Sequence, residues 1–208
     1  MRKLLATMAA VLLSVVGLSA CTAKAKQVSN EVNETEETKQ EVMDLKGKKV
    51  LVAYFSWSGN TKYVAQYIAK KVGADEFEII TEKAYPTEYQ PCTEVAKTEK
   101  EANARPAIMG KVENMEQYDV VFIGAPVWWY TGPMAIYTFM EQYDLKGKTV
   151  IPFCTAYSGP SQTLKDIVKS TPDSDHRDGI CIVTKELGGQ GMESKMAKID
   201  KWLGEIGF

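Results

Sequence analysis

The sequence predicts an α/β fold in which a five-stranded parallel sheet lies between two layers of helices, a three-layer α/β/α sandwich. Two observations predict this architecture. Five short β-type runs recur between residues 49 and 183, and amphipathic helical patterns separate them. Strands that are joined through helices pair in parallel, with helices on both faces of the sheet. The 208 residues suffice for one such domain with additional segments.

The predicted strands are apolar runs of the kind found in sheets that are covered on both faces. They cover residues 49–55, 76–80, 119–125, 149–154 and 179–183. One residue conflicts with this pattern. Pro152 has no N–H for the hydrogen-bond ladder, although it falls inside the fourth predicted strand.

Helical periodicity fills the segments between the strands. The predicted helices cover residues 61–71, 133–143, 161–169 and the C-terminal segment, where Met192, Met196, Ile199 and Leu203 repeat at helical spacing. The long connection 81–118 is predicted to contain a further helix over residues 93–104. This helix is a candidate cover for a ligand site.

The N-terminal residues have the pattern of a secretory signal. A basic start is followed by an apolar stretch of 15 residues, 4–18, which suits a signal peptide and is short for a membrane span. The next residues, LSAC, end at Cys21 and resemble the lipobox of bacterial lipoproteins. The resemblance implies that residues 1–20 are a lipoprotein signal peptide and that Cys21 is lipidated. A plain secretory signal with an incidental cysteine is the alternative.

Residues 21–46 are polar and charged, with few large apolar side chains. Such a segment buries too little surface to offset the cost of ordering, so we interpret it as a disordered tether. The folded domain is expected to span residues 47–208. Together these segments predict a protein anchored by lipid to a bacterial cell membrane, on the extracytoplasmic side.

Composition excludes several classes of function. The net charge of −2 and the absence of a basic cluster disfavour nucleic-acid binding. The single histidine disfavours a histidine-based metal site and a Ser/His/Asp triad. No CxxC pair is present, which disfavours a zinc ribbon or a thioredoxin-type site. We therefore assign no metal ligand and no catalytic residue.

The first of three informative loops follows the first strand and contains Ser56, Trp57, Ser58, Gly59, Asn60 and Thr61. A loop between a strand and a helix N-terminus presents unpaired backbone N–H groups and a partial positive charge. Short hydroxyl and amide side chains add donors, and Gly59 permits close approach of the backbone. The loop is predicted to bind a phosphate group. It lacks the lysine of a nucleoside-triphosphatase loop.

Two further loops follow the third and fourth strands. One contains Pro126, Val127, Trp128, Trp129 and Tyr130, whose consecutive rings cannot all enter one core and therefore mark a binding site. The other contains Thr155, Ala156, Tyr157, Ser158 and Gly159. The carboxyl ends of parallel strands are where such sheets bind ligands. A phosphate loop beside aromatic rings predicts a phosphorylated planar cofactor.

The segments SWSGNT, YDVVFIGAPVWWYTGP and GKTVIPFCTAYSG resemble the flavodoxin family, and more closely its short-chain flavodoxin-like relatives, from about residue 48 to 207. The resemblance implies the strand order 2-1-3-4-5 and one noncovalently bound FMN. The first loop matches the phosphate loop, residues 126–130 match the loop that flanks the isoalloxazine, and residues 155–159 match the third flavin-contacting loop. We expect Trp129 to lie against the isoalloxazine, with Tyr157 at its other edge.

Three functions remain open from sequence. We favour electron transfer at the membrane surface, with a redox partner protein or a small-molecule acceptor. An FMN-dependent reductase that oxidises a reduced nicotinamide and reduces a quinone-type acceptor is the alternative. A flavin-free binding module is the third. No acidic residue lies in the three loops, and the connection 81–118 is long.

Overall fold

The computed structural model describes residues 44–184 and 191–208, without the side chains of residues 191–193. The predicted signal peptide, the proposed lipidation site Cys21 and nearly all of the predicted tether lie outside these residues. Among the helices of the described ranges, none is long and apolar enough to cross a membrane.

The predicted parallel sheet is confirmed, and its strand order is the expected 2-1-3-4-5. The strands are β1 (Val50–Tyr54), β2 (Asp75–Glu78), β3 (Val120–Pro126), β4 (Thr149–Ala156), β5 (Asp175–His176) and β6 (Ile180–Val183). Neighbours run in the order β2-β1-β3-β4, and both β5 and β6 pair with β4. The fifth position of the sheet is thus filled by two short strands, where the sequence predicts one over 179–183.

This interruption resolves the conflict at Pro152. β4 pairs with β5 at Thr149 and Val150, and with β6 from Phe153 onward. The N–H of Arg177 donates to the carbonyl of Val150 at 3.4 Å, so Pro152, two residues further on, also turns its backbone toward the fifth position. Its missing N–H therefore falls where the ladder is broken. Gly179 passes close by, and a Cβ there would lie 2.6 Å from the Pro152 carbonyl oxygen.

Two hydrophobic cores cover the two faces of the sheet. On one face, α1 (Asn60–Val72) and α5 (Gly191–Glu205) bury Val64, Ile68, Ile199 and Leu203 against alternate residues of β1, β3 and β4. On the other face, α3 (Met134–Gln142) and α4 (Thr163–Lys169) bury Ile136, Phe139 and Ile167 against the remaining residues of those strands. Alternation of side chains along each strand supplies both cores from the same apolar runs.

The long connection between β2 and β3 forms α2 (Tyr89–Glu101) and a short 3₁₀ segment at Met115–Gln117. The predicted helix over 93–104 is therefore correct in type but begins four residues too late. The missed first turn carries Pro91, a residue that the start of a helix tolerates because its absent N–H has no partner there. α2 packs beside α3, near the carboxyl edge of the sheet.

Candidate functional site

The register of the sheet brings the three predicted loops to one edge. Tyr54 lies opposite Gly124, and Pro126 lies opposite Thr155, so β1, β3 and β4 end at similar heights. The N–H of Val127 donates to the carbonyl of Thr155 at 2.9 Å. The hydroxyls of Thr61 and Thr155 are 2.7 Å apart and buried, which joins the first loop directly to the third.

The loops surround an open cavity of about 980 Å³. This volume is at the upper end of the range typical of small-molecule and cofactor sites. All predicted site residues line the cavity except Ser56, Gly59 and Thr61. The lining residues from the three loops are Trp57, Ser58, Asn60, Pro126, Val127, Trp128, Trp129, Tyr130, Thr155, Ala156, Tyr157, Ser158 and Gly159.

The first loop leaves the N-terminus of α1 open to a ligand. Gly59 occupies the N-cap position with φ +87°, a left-handed conformation that glycine adopts without strain, and no side chain caps the helix. The first turn carries no acidic residue, so the partial positive charge of the helix is not neutralised there. Lys62 points elsewhere and pairs with Glu78 at 2.6 Å. Backbone N–H groups are therefore the main donors of this loop.

The Ser56 hydroxyl also indicates that this loop binds a ligand. Its Oγ is buried and has no hydrogen-bond partner among the described residues. Buried hydroxyls are nearly always hydrogen-bonded, because an unpaired one costs about 1–3 kcal/mol. The N-terminus of α1 begins four residues after Ser56, and an anion held there is the candidate acceptor for this hydroxyl. The loop thus fits a phosphate group.

Trp128 forms the floor of the aromatic side of the site. Its ring meets those of Phe55, Tyr85 and Trp57 edge to face, with centroids 5.4, 5.1 and 6.4 Å away. Burial, and then the hydrogen bond to Glu99 at 2.5 Å, raise the pKa of the Tyr85 hydroxyl, which stays a neutral donor. The floor is therefore rigid and apolar, a suitable wall for a flat ligand.

Trp129 and Tyr130 occupy a strained tight turn. Trp128 and Thr131 exchange backbone hydrogen bonds at 2.7 and 3.0 Å, and the two residues between them have φ of +47° and +72°. Positive φ at both central positions defines a type I′ turn, which favours Asn and Gly. The Lys100 ammonium donates to the Trp129 carbonyl at 2.8 Å and holds the turn from α2. The turn presents both rings at the mouth of the cavity.

Replacing Tyr130 by Gly should raise the free energy of unfolding by about 0.5–1 kcal/mol. Left-handed backbone costs a non-glycine residue about 1–2 kcal/mol, whereas the lost contact of the exposed ring with Lys100 is worth about 0.5–1 kcal/mol. Thermal or denaturant unfolding measures the change. Tyr157→Gly is the matched control, because Tyr157 is equally exposed, at 70%, without a positive φ. Equal destabilisation by both substitutions would contradict strain at Tyr130.

α2 forms a wall of the cavity, where the sequence predicts a covering helix without assigning any of its residues to the site. Its lining residues are Tyr89, Gln90, Cys92, Thr93, Glu94, Ala96 and Lys97. Two indole N–H groups fasten the connection to the loops, because Trp129 donates to the Thr93 carbonyl at 2.8 Å and Trp57 donates to the Pro86 carbonyl at 2.9 Å. In the sequence, Tyr89, Thr93 and Lys97 are four residues apart, a spacing that places them on one face of a helix.

α2 also brings charge to a site whose three loops contain no acidic residue. Glu94 lines the cavity and accepts a hydrogen bond from the Gln90 amide at 3.2 Å. Lys97 lies 5.6 Å from the centroid of the Trp129 ring. The site is therefore walled by rings and hydroxyls, with one carboxylate and one ammonium on the α2 side. Across the described ranges, no cluster of His, Cys, Asp and Glu could hold a metal ion.

Comparisons with known proteins agree with this architecture. Residues 49–201 match the family model described as Flavodoxin. A protein described as a flavoprotein, from Bacteroides eggerthii DSM 20697, is 33% identical over 77% of this chain and 99% of its own, with a TM-score of 0.64. Another, from Bacteroides uniformis ATCC 8492, is 32% identical over 74% and 99%, with a TM-score of 0.62.

A flavoprotein from Lactobacillus acidophilus NCFM, solved in complex with FMN, shares the fold. It is 21% identical over 74% of this chain and 98% of its own, with a TM-score of 0.60. No curated protein matches the chain.

Proposed function

This chain belongs to the flavodoxin family, and we propose that it binds one FMN at the carboxyl edge of its sheet and transfers electrons at a membrane surface. The observation that carries the cofactor proposal is the buried, unpartnered hydroxyl of Ser56 beside the uncapped N-terminus of α1. The family assignment supports FMN, and so does the FMN bound to the Lactobacillus acidophilus protein of the same fold.

The residues of the site fall into two groups, those that would bind the phosphate and those that would flank the flavin ring. Ser56, Ser58, Asn60 and the backbone N–H groups that begin α1 would hold the phosphate. Hydrogen bonds to a charged group contribute about 1.5–3 kcal/mol each, so this loop dominates affinity. The rings of the second loop and Tyr157 would flank the flavin and exclude water. When bound, FMN supplies the capacity to accept and release one or two electrons.

Which ring lies against the flavin stays a prediction. Trp129, ranked first from sequence, lines the cavity and is 39% exposed, but its indole N–H is engaged by α2. Trp128 is packed edge to face among three other rings. Both therefore offer a ring that is already held in place, which lowers the entropy cost of stacking on a flat ligand.

Exposed rings at the mouth of the cavity favour electron transfer to a partner protein. Tyr89, Tyr130 and Tyr157 line the cavity and are at least 70% exposed. Aromatic side chains that stand in solvent around a binding site are common in protein interfaces, where they supply contact area with little entropy loss. A redox partner that docks on these rings would approach the edge of the bound flavin.

A reductase of small molecules is the second candidate, and α2 is the observation that favours it. The helix walls one side of a cavity that is large for one cofactor, which leaves space for a second flat molecule beside the flavin. A reduced nicotinamide or a quinone-type acceptor has the required shape. A flavin-free binding module would leave the Ser56 hydroxyl without a partner.

Absorbance of the purified full-length chain separates the three functions. Electron transfer predicts a yellow protein whose flavin absorbance is bleached by a chemical reductant and is unaffected by reduced nicotinamide. Rapid bleaching by reduced nicotinamide would replace electron transfer with the reductase. If the protein is colourless and gains no flavin absorbance after FMN is added and the excess is removed, the flavin-free binding module is the function that remains.

The proposed location is the extracytoplasmic face of a bacterial cell membrane, with Cys21 as the lipidated residue. Cys21→Ala should release the protein from membranes or stop its processing, because the anchor would be lost. Membrane fractionation and the mass of the N-terminal peptide measure both effects. Cys92→Ala is the matched control and should leave both unchanged. A Cys21→Ala protein that is still cleaved and still membrane-bound would contradict lipidation there.

A further inference from the structure

Two cysteines lie side by side at the outer edge of the sheet. Cys154 in β4 and Cys181 in β6 are register partners, so their side chains point to the same face of the sheet. Neighbouring strands lie about 4.7–4.9 Å apart, within the range of Cα separations that disulfides span. Both cysteines are free thiols. Neither lines the cavity described above.

The environments of the two thiols differ in a way that makes one of them reactive. Cys154 is fully buried, whereas Cys181 is half-buried on a strand of only four residues. The interaction between the two sulfurs lowers the pKa of the Cys181 thiol and raises that of Cys154. Burial raises the pKa of both thiols, and the Lys198 ammonium, which donates to the Cys181 carbonyl at 3.2 Å, lowers the pKa of Cys181.

We propose that Cys154 and Cys181 are an oxidisable dithiol that hydroperoxides convert to a disulfide, with Cys181 as the attacking thiol. The Cys181 thiolate attacks the peroxide oxygen and the O–O bond breaks. Cys181 becomes a sulfenic acid, and the leaving hydroxide or alkoxide takes up the proton that the Cys181 thiol released, which gives water or an alcohol. The Cys154 sulfur then displaces hydroxide from the sulfenic sulfur. The S–S bond forms and the Cys154 proton leaves with hydroxide as water.

Closing this bond ties the outermost strand to the strand that carries the third loop. Thr155 follows Cys154 directly, and Thr184, one residue beyond β6, donates to the Ala156 carbonyl at 3.1 Å. The cross-link restricts the unfolded chain between residues 154 and 181, which stabilises the folded state. We expect the oxidised protein to unfold about 5–10 °C higher than the reduced one.

The test is a peptide map of the full-length chain after treatment with hydrogen peroxide, with free thiols alkylated before digestion. We expect one linked species that joins the peptides of Cys154 and Cys181, has lost two hydrogens and disappears on reduction. Cys92, which is buried in α2, is the internal control and should remain a free thiol. Oxidation of Cys92 at an equal rate, sulfinic acid at Cys181 without a cross-link, or no oxidation of the pair would overturn the proposal.

Single variants separate the roles of the two cysteines. Cys154→Ser should leave Cys181 as a sulfenic acid that a dimedone probe captures, and Cys181→Ser should leave Cys154 unlabelled. Lys198→Gln should slow alkylation of Cys181 several-fold at fixed pH, whereas Lys201→Gln, on the same helix and paired with Glu205, should not. Equal labelling of the two single cysteine variants would refute the assigned roles, and the map of the wild-type chain tests the cross-link without any variant.

Discussion

Riboflavin, which is FMN without its phosphate, should bind this chain at least about a hundredfold more weakly than FMN. We expect the donors of the first loop to contribute through the phosphate alone, because they are the N-terminus of α1 and short side chains at the edge of the sheet. Each hydrogen bond to a charged group contributes about 1.5–3 kcal/mol, so the loss of two gives at least about 3 kcal/mol, or a hundredfold in affinity.

Fluorescence titration of the flavin-free chain with each flavin measures the two affinities. Both flavins present the same ring system to Trp128, Trp129, Tyr130 and Tyr157, so the second and third loops cancel in the comparison. Raising the salt concentration should weaken FMN binding and leave riboflavin binding nearly unchanged, because only FMN carries charge. Similar salt dependence for the two flavins would contradict a charge-based anchor.

Ser56→Ala should weaken FMN binding about 10- to 100-fold without destabilising the flavin-free protein. The hydroxyl is buried and unpartnered among the described residues, so its removal costs no hydrogen bond and relieves a desolvated polar group. With FMN bound, the same hydroxyl would donate to the phosphate, which is worth about 1.5–3 kcal/mol. The variant should therefore be equal to or more stable than the wild type when empty, and less stable when FMN is present.

Thr163 in α4 provides the matched control for Ser56. Its Oγ1 is also buried without a partner among the described residues, but it lies at the start of α4 and not in the first loop. Thr163→Val keeps the shape of the side chain, removes the hydroxyl and should leave FMN affinity unchanged. Thermal unfolding of both variants with and without FMN measures the effects. A Ser56→Ala protein that loses stability while empty would show that the hydroxyl has a structural partner.

The sheet could be predicted from sequence because its strands are buried on both faces. Such strands are apolar at every position, as in Val120–Pro126, and helical periodicity between them fixes the parallel arrangement. The divided fifth position could not be predicted. It depends on Pro152, which removes a donor, and on Gly179, which lies against its ring, and these residues meet only in the folded sheet.

The site was predictable where its chemistry is local and hidden where it depends on distant contacts. The loop 56–61 has the composition of a phosphate site, and the three consecutive aromatic residues 128–130 indicate a ligand-binding surface. The wall formed by α2 comes from a connection whose position depends on the bonds of Trp57 and Trp129 to it. The left-handed backbone of Trp129 and Tyr130 contradicts their conformational preferences, so no local pattern predicts it.

A thermodynamic cycle tests most directly whether the first loop holds the phosphate of FMN. FMN and riboflavin are each titrated into the wild type and into Ser56→Ala. We expect the substitution to weaken FMN by about 1.5–3 kcal/mol and to leave riboflavin unchanged, because only FMN carries the group that Ser56 would contact. Equal losses for the two flavins, or no loss for either, would contradict the claim.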